Sequence, residues 1–74
     1  METRLTDIKI NTKGIIKNIE DNPLIAKMFE FGLLPGTKIK IINKAPFDGP
    51  ISVLVDDSII ALREKEAHFI LMEN

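Results

Sequence analysis

Isoleucine dominates the apolar content of this 74-residue chain. Thirteen residues are isoleucine, four are phenylalanine, and none is tyrosine or tryptophan. Because β-branched side chains are stiff at χ1 and pack well on a pleated surface, this bias favours strands. The length suits one small domain, and we expect residues 1–74 to form it.

Glycine and proline divide the chain into short segments. The segments predict five strands, at about residues 14–20, 37–41, 51–55, 59–63 and 67–72. The second alternates strictly between inward isoleucine and outward lysine, and Pro35-Gly36 before it favours a type II turn. Five short apolar strands suggest a small closed barrel, because closure removes unpaired strand edges.

One helix is expected after the first strand. Asn22 can cap the free amides, Pro23 suits the first helical position, and Gly32 suits a left-handed end. Leu24, Met28 and Phe31 have helical spacing and predict a buried stripe. The predicted fold class is therefore mainly β, with one short inserted helix.

Charge, cysteine content and hydropathy limit the classes of function. Ten Lys and Arg residues against 11 Asp and Glu give a net charge of −1, which argues against a partner held mainly by bulk charge, such as duplex DNA or an anionic membrane. The absence of cysteine excludes disulfides and thiolate metal sites. No apolar run exceeds four residues and the first residues lack signal-peptide features, so we expect a soluble, cytoplasmic protein.

Residues for catalysis or metal binding are sparse. Nothing links Ser52 or Ser58 to the single histidine, His68, and there is no phosphate-binding glycine loop. His68 with Glu64 or Glu66 would supply too few ligands for a specific metal site. We therefore expect no enzyme, no cofactor and no bound metal.

A lysine stripe and one arginine have simple structural interpretations. Lys38, Lys40 and Lys44 share one parity, but no aromatic residue lies among them, so a solvated face is favoured over a nucleic-acid site. Arg63 is expected to anchor a loop, through backbone carbonyls or through Glu66.

Apolar residues on the helix and on one loop are the best candidates for a contact surface. Ile25 and Phe29 lie one helical turn apart, and Phe47 lies in a Pro-rich loop that holds its side chain at low entropic cost. The alternative is that both phenylalanines enlarge a small core. The candidate partner-binding residues are Ile25, Lys27, Phe29, Pro46 and Phe47.

Three motifs resemble those of ferrous iron transport protein A (FeoA). They are Lys27-Met28-Phe29-Glu30-Phe31-Gly32-Leu33-Leu34-Pro35-Gly36-Thr37, then Ala45-Pro46-Phe47-Asp48-Gly49-Pro50-Ile51, then Ala61-Leu62-Arg63 followed by Glu66-Ala67. The resemblance implies a five-stranded SH3-like barrel with the helix inserted after the first strand. It also implies a cytoplasmic accessory protein that binds FeoB, the membrane Fe²⁺ transporter with a GTP-binding domain, and reaches the membrane only through that partner.

Two other functions stay open. One is a nucleic-acid-binding SH3-like barrel, and the other is a free-standing relative of the C-terminal domain of metal-dependent repressors. An exposed strand or helix face could also support weak homo-oligomers.

Overall fold

The elements of secondary structure are short, and strands predominate. The computed structural model describes residues 2–73. Strand β1 covers Thr3–Arg4 and leads into a 3₁₀ turn at Leu5–Asp7. The other elements are β2 Lys13–Ile19, α1 Ile25–Glu30, β3 Lys38–Lys44, β4 Ile51–Val55, β5 Ser58–Leu62, α2 Glu64–Ala67 and β6 Ile70–Met72.

The strands form one antiparallel sheet in the order β1–β6–β2–β3–β4–β5. The mainly β class with one helix after the first long strand is confirmed. The sheet has six strands instead of five, because Thr3 and Arg4 pair with Met72 and Leu71. Two residues are too few to show the alternation that predicts a strand. No pairing among the described residues joins β5 to β1, so hydrogen bonds do not close the barrel.

The core lies on the inner face of the sheet. Ile39 and Ile41 of β3 are buried, as are Ile51, Val53 and Val55 of β4, which confirms the alternation predicted for these strands. Leu5, Ile16 and Ile70 have no exposed surface and join the same cluster. Strand alternation thus accounts for the buried side chains of β3 and β4, whereas all three residues of β6 are buried.

Helix α1 is shorter than expected. It has six residues, and Pro23 lies in the preceding turn instead of the first helical position. Asn22 does not cap the helix as expected, because Leu24 occupies the N-cap position without a side-chain cap. Asn22 holds the preceding turn instead, since its Oδ1 accepts the Leu24 N–H at 2.9 Å and its Nδ2 donates to the Glu20 carbonyl at 2.9 Å. Gly32 ends the helix with φ of 89°, as expected.

The buried face of α1 differs from the predicted one. Met28 is 3% exposed, but Leu24 is 40% and Phe31 is 47% exposed. The partly buried Ile25, three residues before Met28, packs against the core instead. The prediction of a Leu24–Met28–Phe31 stripe is therefore wrong for its two ends. Apolar residues occupy more than one face of this helix, so their spacing alone does not select the face that meets the sheet.

Two local features hold the chain around the helix and the edge strand. Thr37 N–H donates to the Leu34 carbonyl at 3.0 Å, and Gly36 has φ of 90°, which confirms the type II turn.

At β1, the Arg4 guanidinium pairs with the Glu20 carboxylate and donates to the His68 carbonyl at 2.7 Å. The hydrogen bond between Arg4 and Glu20 raises the pKa of Arg4 and lowers the pKa of Glu20.

Arg63 does not have the anchoring role that we expected of its side chain. Its backbone N–H donates to Glu66 Oε1 at 2.9 Å, which caps the start of α2. The residue is exposed, and the described structure records no hydrogen bond from its guanidinium. The arginine whose side chain binds a backbone carbonyl is Arg4, through the carbonyl of His68.

Candidate docking surface

Phe47 lies at the tip of the β3–β4 hairpin, in the loop formed by residues 45–50, here called the Phe47 loop. Ala45 N–H donates to the Pro50 carbonyl at 2.9 Å, and Gly49 N–H donates to the Pro46 carbonyl at 3.2 Å. Phe47 and Asp48 have φ of 59° and 58°. Two successive left-handed residues closed by this hydrogen bond form a type I′ turn. The turn leaves Phe47 100% exposed.

The Phe47 loop has an unusual residue at its central position. Type I′ turns prefer Asn-Gly or Asp-Gly, because a Cβ atom makes the left-handed conformation costly. A bulky residue there costs about 1–2 kcal/mol. Since Phe47 is fully exposed, no intramolecular contact offsets this cost. The loop therefore places an aromatic ring in solvent at an energetic cost to the free protein.

Gly49 supports the loop for a different reason. A Cβ atom at this position would lie 2.7 Å from the Ala45 Cβ and 3.1 Å from the Pro46 carbonyl oxygen. Both neighbours are rigid, so only glycine allows this close approach. The fourth turn position therefore requires glycine for the turn to close.

The other candidate residues lie on α1. Phe29 is 42% exposed, and Lys27 is exposed with its ammonium 6.0 Å from the centroid of the Phe31 ring. Ile25 is half-buried against the core and offers less surface than expected.

The sequence did not predict a groove that lies between α1, the edge strand β5 and α2, here called the α1 groove. It has a volume of about 250 Å³. Its lining residues are Leu24, Lys27, Met28, Phe31, Ala61, Leu62 and Glu66. Leu24 and Phe31 form part of its wall because they do not enter the core. The sequence did contain a sign of this groove, because α1 and its ends carry more apolar residues than one buried face can hold.

Residues considered for chemistry lie apart. Within residues 2–73 no three His, Asp or Glu side chains converge to hold a metal. His68 is exposed after α2, where its backbone N–H donates to the Glu64 carbonyl at 3.0 Å. Ser52 pairs with Ala61 inside the sheet, and Ser58 begins β5. No helix in this part of the chain has the length and apolar character needed to cross a bilayer.

The lysine stripe is not a uniform free surface. Lys44 Nζ donates to the Thr6 carbonyl at 2.9 Å and so holds the 3₁₀ turn. Lys40 lies opposite Lys13 in the β2–β3 pair, and Lys38 lies opposite Ile15. Like charges directly opposite each other repel, and no aromatic residue lies in these pairs to stack on a base.

Solved structures of known proteins share this fold. A crystal structure of an iron uptake regulatory protein (FeoA) is 28% identical, with a TM-score of 0.85 and coverage of 97% of this chain and 94% of that one. The NMR structure of a FeoA-like protein from Clostridium acetobutylicum is 30% identical, with a TM-score of 0.85 and coverage of 97% and 85%. Comparison with curated protein sequences finds no significant match.

A zinc complex of FeoA from Stenotrophomonas maltophilia, described as a prokaryotic SH3 domain protein, is 21% identical, with a TM-score of 0.85 and coverage of 96% and 89%. At this identity the likeness concerns the fold alone, and it confirms the SH3-like architecture. The FeoA domain model matches residues 3–74, which is nearly the whole chain. The chain therefore belongs to the FeoA family, whose members are associated with ferrous iron transport.

Proposed function

We propose that this protein is a non-enzymatic accessory of ferrous iron uptake that binds the cytoplasmic GTP-binding domain of a FeoB-type Fe²⁺ transporter. Family membership supports the link to iron transport. The observation that carries the docking mechanism is the fully exposed Phe47 on a left-handed turn. The protein is cytoplasmic and meets the membrane only through this partner.

Phe47 acts as the anchor of the contact. Aromatic side chains that enter a pocket of the partner commonly dominate binding energy, and truncation of such a residue costs about 2 kcal/mol or more. The type I′ turn holds the ring before the partner arrives, so little loop ordering opposes binding. The strain in the free loop is compatible with a functional role, since strained residues cluster at such sites.

Helix α1 provides a second contact. Phe29 and Lys27 are exposed on it, whereas Ile25 contributes only its outer edge. A rim charge such as Lys27 affects the association rate more than the affinity. A transporter state that fits both elements binds more tightly than a state that fits only one. Binding therefore shifts the transporter towards that conformation or assembly state.

The test is a calorimetric titration of the full chain into the isolated cytoplasmic domain of the transporter. Phe47→Ala is expected to weaken binding at least about 30-fold, and Phe29→Ala by a smaller factor. Ile59→Ala is the matched control, because Ile59 is exposed and apolar but lies at the other end of the β4–β5 pair. The Ile59→Ala variant should bind the transporter domain with the same affinity as the wild-type chain.

Two results would contradict the proposal. One is the absence of any binding by the wild-type chain. The other is equal affinity of the Phe47→Ala variant, which would leave the ring without a docking role. If Phe29→Ala lowers Tm strongly at unchanged affinity, Phe29 belongs to the core and the helix contact is lost from the proposal.

A further inference from the structure

Strand β5 lies at the end of the sheet and has one free edge. It pairs with β4 on one side, and within residues 2–73 no strand pairs with its other side. Soluble proteins commonly protect such an edge with a charged side chain, a proline or a β-bulge. The strand Ser58-Ile59-Ile60-Ala61-Leu62 contains no charge and no proline, and its register with β4 is regular. The edge is therefore open to pairing with another strand.

The turn before β5 decides which backbone groups point to the free edge. Val55 and Ser58 flank a two-residue turn, so they form a hydrogen-bonded pair. Bonded and non-bonded pairs alternate along an antiparallel ladder, so Ile59 and Ala61 direct their N–H and C=O groups away from β4. The described part of the chain supplies no hydrogen-bond partner for these groups.

We propose that β5 pairs with β5 of a second copy of this chain, in an antiparallel register centred on Ile60. In this register Ile59 of each copy lies opposite Ala61 of the other, so the outward backbone groups of both residues form hydrogen bonds. A large side chain also lies beside a small one. All five residues of each strand are paired, whereas a centre at Ile59 or Ala61 would pair only three.

The charges at the two ends of β5 favour a second copy in this orientation. Asp57 directly precedes the strand and Arg63 directly follows it with extended backbone, and both residues are exposed. The register centred on Ile60 brings Asp57 of each copy opposite Arg63 of the other, and opposite charges across a strand pair attract. Parallel pairing would bring like charges together, and a shifted register would separate Asp57 from Arg63. The strand with its two flanking charges is therefore complementary to itself.

The surroundings of β5 leave its edge accessible. Ile59 is 65% exposed, and the α1 groove separates Ala61 from the helix. The described structure records no hydrogen bond from the Arg63 guanidinium, which is thus available to a second copy. Asp56 and Glu64 lie one residue further out, in the turn and in α2, where strand geometry no longer aligns them.

This contact is isologous, because both copies use the same strand, so assembly stops at a two-fold symmetric dimer. Two five-residue strands bury less area than a standard interface, which predicts a Kd of about 0.1–1 mM. The dimer leaves the Phe47 loop uncovered, and the inference is therefore independent of the proposed binding to the transporter.

Sedimentation equilibrium of the full chain, from about 0.05 to 2 mM at low ionic strength, tests this inference. The average mass of the wild type should rise from 8.3 kDa towards twice that value and no further. Asp57→Lys alone or Arg63→Glu alone brings like charges opposite each other and should weaken association about 10-fold. An equimolar mixture of these variants should associate more strongly than either alone, because every charge pair in the mixed dimer is again opposite.

Amide hydrogen exchange of the wild type locates the contact. The amides of Ile59 and Ala61 should exchange about two- to fourfold more slowly at 2 mM than at 0.05 mM, since only the dimer gives them a partner. This measurement needs no substitution, so it decides the matter even where a charge variant does not fold. The matched control is Phe47→Ala, which lies outside β5 and should associate as the wild type does.

Four results would each overturn the inference. They are a monomeric wild type at about 2 mM, charge variants that associate as the wild type does, a mixture no stronger than its components, and unchanged exchange at Ile59 and Ala61. None of them affects the transporter titration, which depends on the Phe47 loop.

Discussion

Replacing Phe47 by asparagine should stabilise the free protein. Phe47 has φ of 59° at the first central position of a type I′ turn, and its side chain is fully exposed. The left-handed conformation costs an L-residue about 1–2 kcal/mol, whereas asparagine adopts it routinely. The substitution should remove most of this cost and lose no packing.

The expected gain is about 1 kcal/mol in the free energy of unfolding. For a domain of 60–100 residues, 1 kcal/mol corresponds to a Tm shift of about 4–8 °C. Glycine would also remove the strain, but its additional chain entropy costs about 0.5–1 kcal/mol. We therefore expect Tm to decrease in the order Phe47→Asn, Phe47→Gly, wild type.

Differential scanning calorimetry at one fixed protein concentration provides the measurement. Phe47→Ala is the control, because alanine keeps the Cβ atom and should remain within a few degrees of the wild type. A Tm of Phe47→Asn equal to that of Phe47→Ala would refute the strain argument. A lower Tm would show that the ring makes a stabilising contact in the free protein.

Two further predictions concern the helix and the edge strand. Met28→Ala should lower the free energy of unfolding by about 2–4 kcal/mol because Met28 is buried. Phe31 is half-exposed, so Phe31→Ala should lower the free energy of unfolding by less than half as much. Urea unfolding of both variants checks which face of α1 is buried. Arg4 lowers the pKa of Glu20 below its ordinary value of 4.5, so the stabilisation from this pair is present above pH 4.5 and decreases as the pH falls through the lower folded-state pKa. Glu20→Gln should remove that part of the pH dependence of Tm below pH 4.5, and an unchanged profile would show that the pair contributes nothing.

The strands and turns were largely predictable because their signals are local. Ile39 and Ile41 are buried as strict alternation requires, and Gly36 has the positive φ that a type II turn needs. The prediction that Asn22 caps the helix was wrong, because α1 starts later than Pro23 suggested and the Asn22 side chain holds the preceding turn instead. In each case the decisive residues lie within a few positions of the feature that they specify.

The candidate site was predictable only in part. The Pro-rich loop made Phe47 a candidate contact residue, but its left-handed backbone and full exposure could not be inferred from the residues around it. Leu24 and Phe31 have the spacing of a buried stripe and nevertheless form the wall of a groove. Leu24, Ile25, Met28, Phe29 and Phe31 are all apolar, so helical periodicity permits more than one orientation.

By itself, the sequence determined the strand content, the turn positions and the lack of cysteine chemistry, because backbone preferences and alternation act along the chain. Only the tertiary structure decided which face of α1 is buried, that β1 pairs with β6, and that a groove and an exposed ring coexist. These features depend on contacts between residues far apart in the chain. Whether a side chain is buried depends on which elements pack against it, so the residues of one segment do not determine it alone.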